Sequence, residues 1–333
     1  SVFRKLKNIQ ADIKSGNFKQ VYLLYGEEAY LKQQYKQNLV KALNPDGDTM
    51  NFNHYEGKGI DVKQLIDLCE TMPFFAERRV VLLEDTGFFK NKCEELADYM
   101  KELPDYLYLV FAETEVDKRN RMYKAVKACG SIAEFIRQDE KTLMRWAAGI
   151  QGKAGKTNTQ RDMELLLTKT GTDMGNLRME MEKLISYTEG RDVVTAEDIE
   201  EICTTQTTNR IFDMVRAVTE KNQKRALELY YDLLTLKEPP MRILFLLAKQ
   251  YRQLLLAKQF AAAGLAQTEI ASKLGVPGFV VRNITTCARA YTISELEQAV
   301  KDFVDAEESV KTGRLEDKLS VELLIIKYSS KVK

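Results

Sequence analysis

The stretch QVYLLYGEEAYLKQQYKQNLVKAL, residues 20–43, decides the fold. It opens with a short apolar run, turns at Gly26-Glu27-Glu28, and continues as an amphipathic helical pattern. Four more apolar runs follow: MNFNHYE (50–56), RVVLLED (79–85), YLYLVFAE (106–113) and IAEFIR (132–137). Helical stretches separate them, DVKQLIDLCETM, NKCEELADYMKEL and KRNRMYKAVKAC. Near-continuous apolar strands alternating with helices are the pattern of a parallel sheet covered on both faces. Residues 1–138 are therefore expected to form an α/β, doubly wound parallel-sheet domain.

In such a domain the turn after the first strand is where phosphates bind, because helix N-terminal N–H groups converge there with the positive end of the dipole. Here the turn reads GEEAY, with one glycine, no lysine and no serine or threonine to hold a metal. Glu27 and Glu28 put carboxylates where phosphates would lie, which satisfies the dipole internally and repels a polyanion. Glu84-Asp85 resembles the acidic end of a metal-binding ATPase strand, but without a phosphate loop it reads as a solvated strand end. A better lookalike is QGKAGKTNTQ, residues 151–160. The pattern GxxxxGK[ST] needs glycine at position 150, which is Ile150, and the preceding TLMRWAAGI has helical rather than strand spacing. Lys156 is thus expected in a basic, flexible interhelical turn.

Strands stop after Gln138. Residues 139–209 read as a small helical domain, closing with the capping box Thr195–Asp198, and the polar TTQTTN (204–209) marks a second boundary. Residues 210–333 are helical throughout. Their segment PMRILFLLAKQYRQLLLAKQFAAAG (240–264) is apolar around too much of its circumference for an exposed helix, so it belongs at the centre of a bundle or in a subunit contact. TEIASKLGVPGFVVRNITTCARA (268–290) has the cadence of a helix-turn-helix. Its second helix opens with Pro277, Gly278, Phe279, Val280 and Val281, and only Arg282 and Asn283 offer base-reading chemistry, so a structural hairpin is expected.

Composition adds bounds. The chain has 333 residues, 44% apolar and 30% charged, with net charge +1, so attraction to nucleic acid must come from a local patch. One such patch is Asp117, Lys118, Arg119, Arg121, Lys124 and Lys127. A solvated helix face is the ordinary reading, with Arg119, Arg121, Lys124 and Lys127 as candidate DNA-phosphate contacts. The five cysteines, odd in number and without CxxC spacing, read as reduced thiols, mostly in the core. With His54 the one histidine, no metal site is expected. No run approaches a membrane span and the first residues do not read as a secretory leader, so a cytoplasmic protein without membrane contact is expected.

Taken in order, VYLLYGEEAYL, MPFFAERRVVLLED, LVFAETEVDKRNRMYKAV, NLRMEMEKLISY, AKQYRQLLLAK and VKTGRLEDKLSVELLIIKYS resemble the delta subunit family of bacterial DNA polymerase III clamp loaders over essentially the whole chain. The resemblance implies a degenerate AAA+ domain (1–138), a helical lid (139–209) and a helical collar that mediates oligomerisation (210–333). It implies the clamp-opening arm of a pentameric, ATP-driven loader acting in DNA replication, itself neither an ATPase nor in need of a cofactor. The implied partners are the sliding clamp (beta subunit), the ATPase and delta prime type subunits through the collar, and DNA within the assembled complex. Arg178 resembles the lid arginine that senses nucleotide in active relatives. Around Cys129-Gly130-Ser131 the Ser-Arg-Cys triplet of the ATPase-stimulating subunits is missing, so no arginine finger is expected there. An active AAA+ ATPase and a helix-turn-helix DNA-binding regulator are the competing readings.

One short segment bears on the clamp. In DVKQLIDLCETM, Val62, Leu65, Ile66 and Cys69 dock a helix on the sheet, and Pro73 must end it. Phe74 and Phe75 follow at once, and the pattern does not decide between packing under the third strand and projecting outward. In the delta family this helix-end apolar pair enters a pocket on the clamp, so the resemblance makes Met72, Phe74 and Phe75 the clamp-binding residues.

Overall fold

The structure, a computed structural model, describes residues 2–330 and divides into two compact units between Gln138 and Asp139. The first unit runs α1 (Val2–Ser15), β1 (Val21–Tyr25), α2 (Ala29–Leu43), β2 (Phe52–Glu56), α3 (Val62–Cys69), β3 (Arg79–Glu84), α4 (Glu94–Tyr99), β4 (Leu107–Glu113), α5 (Arg121–Cys129) and β5 (Ser131–Glu134). All five expected strands are present, every pairing is parallel, and the order is β2-β3-β4-β1-β5.

The central strands are buried on both faces because their side chains alternate between two cores. Val21, Leu23, Val81, Leu83, Leu109 and Phe111 point to one side, where they meet Leu65 and Cys69 of α3, Leu96 of α4 and Val126 of α5. Tyr22, Leu24, Val80, Leu82 and Val110 point to the other, against Ile9 of α1 and Leu39 and Leu43 of α2. Helix α1 has no counterpart in the sequence reading. Its Asp12 carboxylate accepts the hydroxyl of buried Tyr22 at 2.8 Å, which ties it to the sheet.

The second unit is helical: α6 (Glu140–Lys153), α7 (Gln160–Thr170), α8 (Met174–Tyr187), α9 (Ala196–Ile202), α10 (Thr207–Thr219), α11 (Gln223–Thr235), α12 (Pro240–Ala262), α13 (Gln267–Leu274), α14 (Gly278–Ala288), α15 (Ile293–Lys311) and α16 (Asp317–Ser329). Side-chain caps start many of them: Asp139 for α6, the reciprocal pair Thr159–Asp162 for α7, and the expected box Thr195–Asp198 for α9. The position expected for a boundary between lid and collar, 209/210, falls within the first turn of α10. Helix α12 packs against α10, α13, α14, α15 and α16, burying Ile243, Leu244, Leu247, Tyr251 and Leu254. Its apolar excess is therefore spent inside its own bundle, although Phe245 and Leu256 stay exposed.

Candidate functional site

Helix α3 begins with Asp61, whose carboxylate accepts from the amides of Lys63 and Gln64, and docks through Leu65 and Cys69. It stops at Cys69, three residues short of Met72, so the chain from Glu70 to Phe75 is already non-helical when it reaches Pro73. Two polar side chains from the sheet hold this segment. Arg79, at the start of β3 and 5% exposed, donates through Nε to the Thr71 carbonyl (2.7 Å), through Nη2 to the Met72 carbonyl (3.3 Å) and through Nη1 to Asn53 Oδ1 (3.2 Å). A cation just beyond the C-terminal end of α3 is favoured by the helix dipole and by the unpaired carbonyls there.

The second is Asn51, 3% exposed, just before β2. Its Oδ1 accepts from the Phe74 amide at 2.6 Å and its Nδ2 donates to the Phe74 carbonyl at 2.8 Å, so one side chain pairs with both main-chain groups of one residue. Nδ2 also donates to Asp48 at 2.5 Å, and this bond is the chief cause holding the Asp48 carboxyl below the usual carboxylate range.

What this scaffold presents is apolar. Met72 is 75% exposed, Phe74 57% and Phe75 94%, and the two rings meet edge to face with centroids 4.4 Å apart. Adjacent side chains in an extended chain would point to opposite sides; Phe75 escapes this with a left-handed backbone, φ +51°. Such a conformation costs a bulky residue about 1–2 kcal/mol. Both rings therefore project, the arrangement that pattern alone had left open.

The turn that would hold a nucleotide is organised differently. In this strand order the crevice lies at the C-terminal ends of β1 and β4, where the connections diverge. Lys32, from α2, reaches into it and donates to the carbonyls of Gly26 (3.1 Å) and Glu113 (3.0 Å). Burial lowers its pKa, against the raising influence of the nearby carboxylates of Asp85, Glu113 and Glu84. The turn amides are engaged as well, Gly26 N with the Glu113 carbonyl and Glu28 N with that of Phe135. Gly26 has φ +123°, and a Cβ there would collide with the Phe135 carbonyl oxygen.

Two details correct the sequence reading. Main-chain carbonyls, rather than the Glu27 and Glu28 carboxylates, engage the turn amides; Glu27 instead faces Arg137 at 3.6 Å, and Glu28 makes no side-chain cap bond. Glu84 is not a solvated strand end either. Lys36 (2.6 Å) and His54 (2.9 Å) pair with its two oxygens and leave its side chain 20% exposed.

The turn at Lys156, expected to be flexible, is instead tied down: Lys156 is buried and donates to the carbonyls of Thr188 (2.6 Å) and Arg191, gathering the chain that follows α8. Arg178 bonds Glu182 one turn along its own helix at 2.7 Å. In the basic patch, Arg119 pairs with Asp117 and Arg121 with Asp98, while Lys124 and Lys127 are exposed on α5. The start of α14, where a DNA reader would be open, buries Phe279 and Val281, and the Phe279 amide reaches Glu140 at 3.3 Å. Asn283 lines a cavity of about 450 Å³ at the ends of α7, α10 and α14 rather than an open face. Among the described residues no cluster of His, Cys, Asp and Glu suits a metal, and no helix is long and apolar enough to cross a membrane. Asn51 and Arg79 were missed by the sequence reading, since nothing local marks a polar residue whose partners lie 23 and 8 positions away.

Comparison with known proteins agrees with this architecture. The family model "DNA polymerase III, delta subunit" matches residues 22–135, and "DNA polymerase III delta subunit, C-terminal domain" matches 208–328. DNA polymerase III subunit delta of Bacillus subtilis (strain 168) is 26% identical over 332 residues, covering 96% of this chain and 95% of that protein. A probable DNA polymerase III subunit delta of Aquifex aeolicus (strain VF5) is 22% identical over 270 residues, covering 77% and 75% respectively. The solved structure of a Bacillus subtilis DNA clamp loader delta protein shares the fold, with TM-score 0.69, 24% identity, and coverage of 99% of this chain and all of that one. Two models of one family, one for each end of the chain, together with relatives that align along its length, place this chain in the DNA polymerase III delta subunit family.

Proposed function

We propose that the chain is the clamp-opening delta subunit of a DNA polymerase III clamp loader: a non-catalytic, cytoplasmic protein that binds the sliding clamp through Met72, Phe74 and Phe75. The observation that carries this is the exposed ring pair on a segment beyond α3 that Asn51 and Arg79 hold in place. The two rings touch and so expose contiguous apolar surface, which marks interaction sites, and aromatic anchors seated in pockets dominate interface energetics. The Lys32 contacts in the crevice support a role without ATP hydrolysis. In this reading residues 139–209 act as the lid and 210–333 as the collar that joins the ATPase and delta prime type subunits. DNA is met within the assembled complex, with Lys124 and Lys127 better placed for phosphate than the paired Arg119 and Arg121. The test is capture of the same organism's purified sliding clamp by the full chain, alongside co-purification with the other loader subunits. Failure to retain the clamp at micromolar concentration would end this reading.

A further inference from the structure

We infer that Asn51 is a positioning residue for clamp docking: its side chain holds Met72–Phe75 in the docking conformation before the clamp arrives. The inference rests on the docking role proposed above. Four observations converge on it. The segment is not held by a helix, since α3 ends at Cys69, nor by the sheet, since β3 begins only at Arg79. Phe75 sits in a left-handed conformation that a phenylalanine leaves unless its neighbours prevent it. The exposed rings contribute little packing that could hold it there. What does hold it is the two-point bond of Asn51 to the Phe74 amide and carbonyl, with Arg79 gripping the carbonyls of Thr71 and Met72.

Asn51 is suited to this work because its own backbone is built into the sheet, its carbonyl accepting from the Val80 amide at 2.9 Å. Its side-chain amide therefore projects from a rigid base. Asp48 accepts from the same Nδ2, which orients the amide with oxygen toward the Phe74 N–H. Alanine at 51 would leave both Phe74 main-chain groups to water and free the segment to sample other conformations, most of which separate the rings.

Preorganisation has a kinetic signature. If only a fraction of molecules holds the docking conformation, apparent affinity falls by that fraction. When exchange among conformers is fast, the loss appears in the association rate, while the bound complex, with its ring contacts intact, dissociates as before. Ring truncation does the opposite, chiefly speeding dissociation.

The experiment measures binding of the full chain to the same organism's sliding clamp by surface plasmon resonance, for the wild type, Asn51→Ala and Phe75→Ala. Asn51→Ala is expected to slow association about tenfold with dissociation within twofold of wild type, and Phe75→Ala to speed dissociation. Unchanged association in Asn51→Ala, or a faster dissociation matching that of Phe75→Ala, overturns the positioning role while leaving the docking site in place. If Phe75→Ala and the double variant Phe74→Ala/Phe75→Ala bind as wild type, the docking reading fails and this inference with it. Should Asn51→Ala not fold, hydrogen exchange of the wild-type Phe74 amide decides. Protection supports the inference, and exchange at the rate of an unbonded exposed amide overturns it.

Discussion

Truncating both rings, Phe74→Ala with Phe75→Ala, is the most direct perturbation of the proposed contact. Fully burying a phenylalanine side chain is worth roughly 1.5–3 kcal/mol, and truncating an anchor seated in a pocket costs ~2 kcal/mol or more. The double variant should lose about 4 kcal/mol, roughly a thousandfold in affinity. The structure also ranks the single variants. Phe75, 94% exposed, has nearly all its surface left to bury, whereas Phe74 at 57% is already partly covered, so Phe75→Ala should cost more than Phe74→Ala. The edge-to-face contact between the rings, of a kind worth about 0.5–1.5 kcal/mol, is present both free and bound and so drops out of the double variant. In each single variant its loss lets the remaining ring wander, which adds to that variant's cost, so the two single losses should sum to more than the double variant's. Surface plasmon resonance against the clamp reads the affinity, and a thermal melt on the same samples reads the fold. Unchanged affinity would refute the site, and lost affinity with a collapsed melt would mean that the rings serve the domain's own packing.

Three further outcomes follow from other parts of the molecule. Calorimetric titration of the full chain with Mg-ATP should give no saturable heat, and a micromolar site abolished by Lys156→Ala would show that the buried Lys156 contacts open to admit phosphate. Gly26→Ala should destabilise the first unit by about 3 kcal/mol or more, because φ +123° is nearly closed to alanine and the new Cβ meets a main-chain carbonyl that cannot swing aside; a melt within 1 °C of wild type would contradict that geometry. The Arg191 guanidinium, followed by the Thr195 amide, holds the Asp198 carboxyl below its usual range. Its folded pKa is depressed, so its contribution is present above the ordinary value of about 4 and is lost as pH falls through the folded value. Asp198→Asn should therefore lower the melting temperature at pH 7 and flatten its decline between pH 5 and 3, and a parallel decline in both proteins would refute the linkage.

The strands were legible because each is a short apolar run bounded by turns, and a buried parallel sheet needs nothing else to show itself in sequence. Helix α1 was not, since its burial rests on Ile9 and on a polar bond from Asp12 to a tyrosine in a strand. The exposure of Phe74 and Phe75 depends on one backbone angle at Phe75 and on two side chains at the N-terminal ends of β2 and β3, which periodicity cannot carry. Lys156 shows the converse. Its neighbours Gly155 and Thr157 mimic a phosphate loop, yet its partners are carbonyls more than thirty residues later, and the similarity is local only.

The lysine in the crevice has a consequence for how this lineage can change. Building a phosphate cradle at the first turn would require removing Lys32, freeing the Gly26 and Glu28 amides from the carbonyls that now occupy them, and inserting glycines, a lysine and a hydroxyl into GEEAY. None of these steps helps without the others, and several cost stability when taken singly, Lys32 because the carbonyls of Gly26 and Glu113 would each lose a donor. Such mutual dependence means that the turn can accept single sequence changes far more easily than the whole set that a nucleotide pocket there would need.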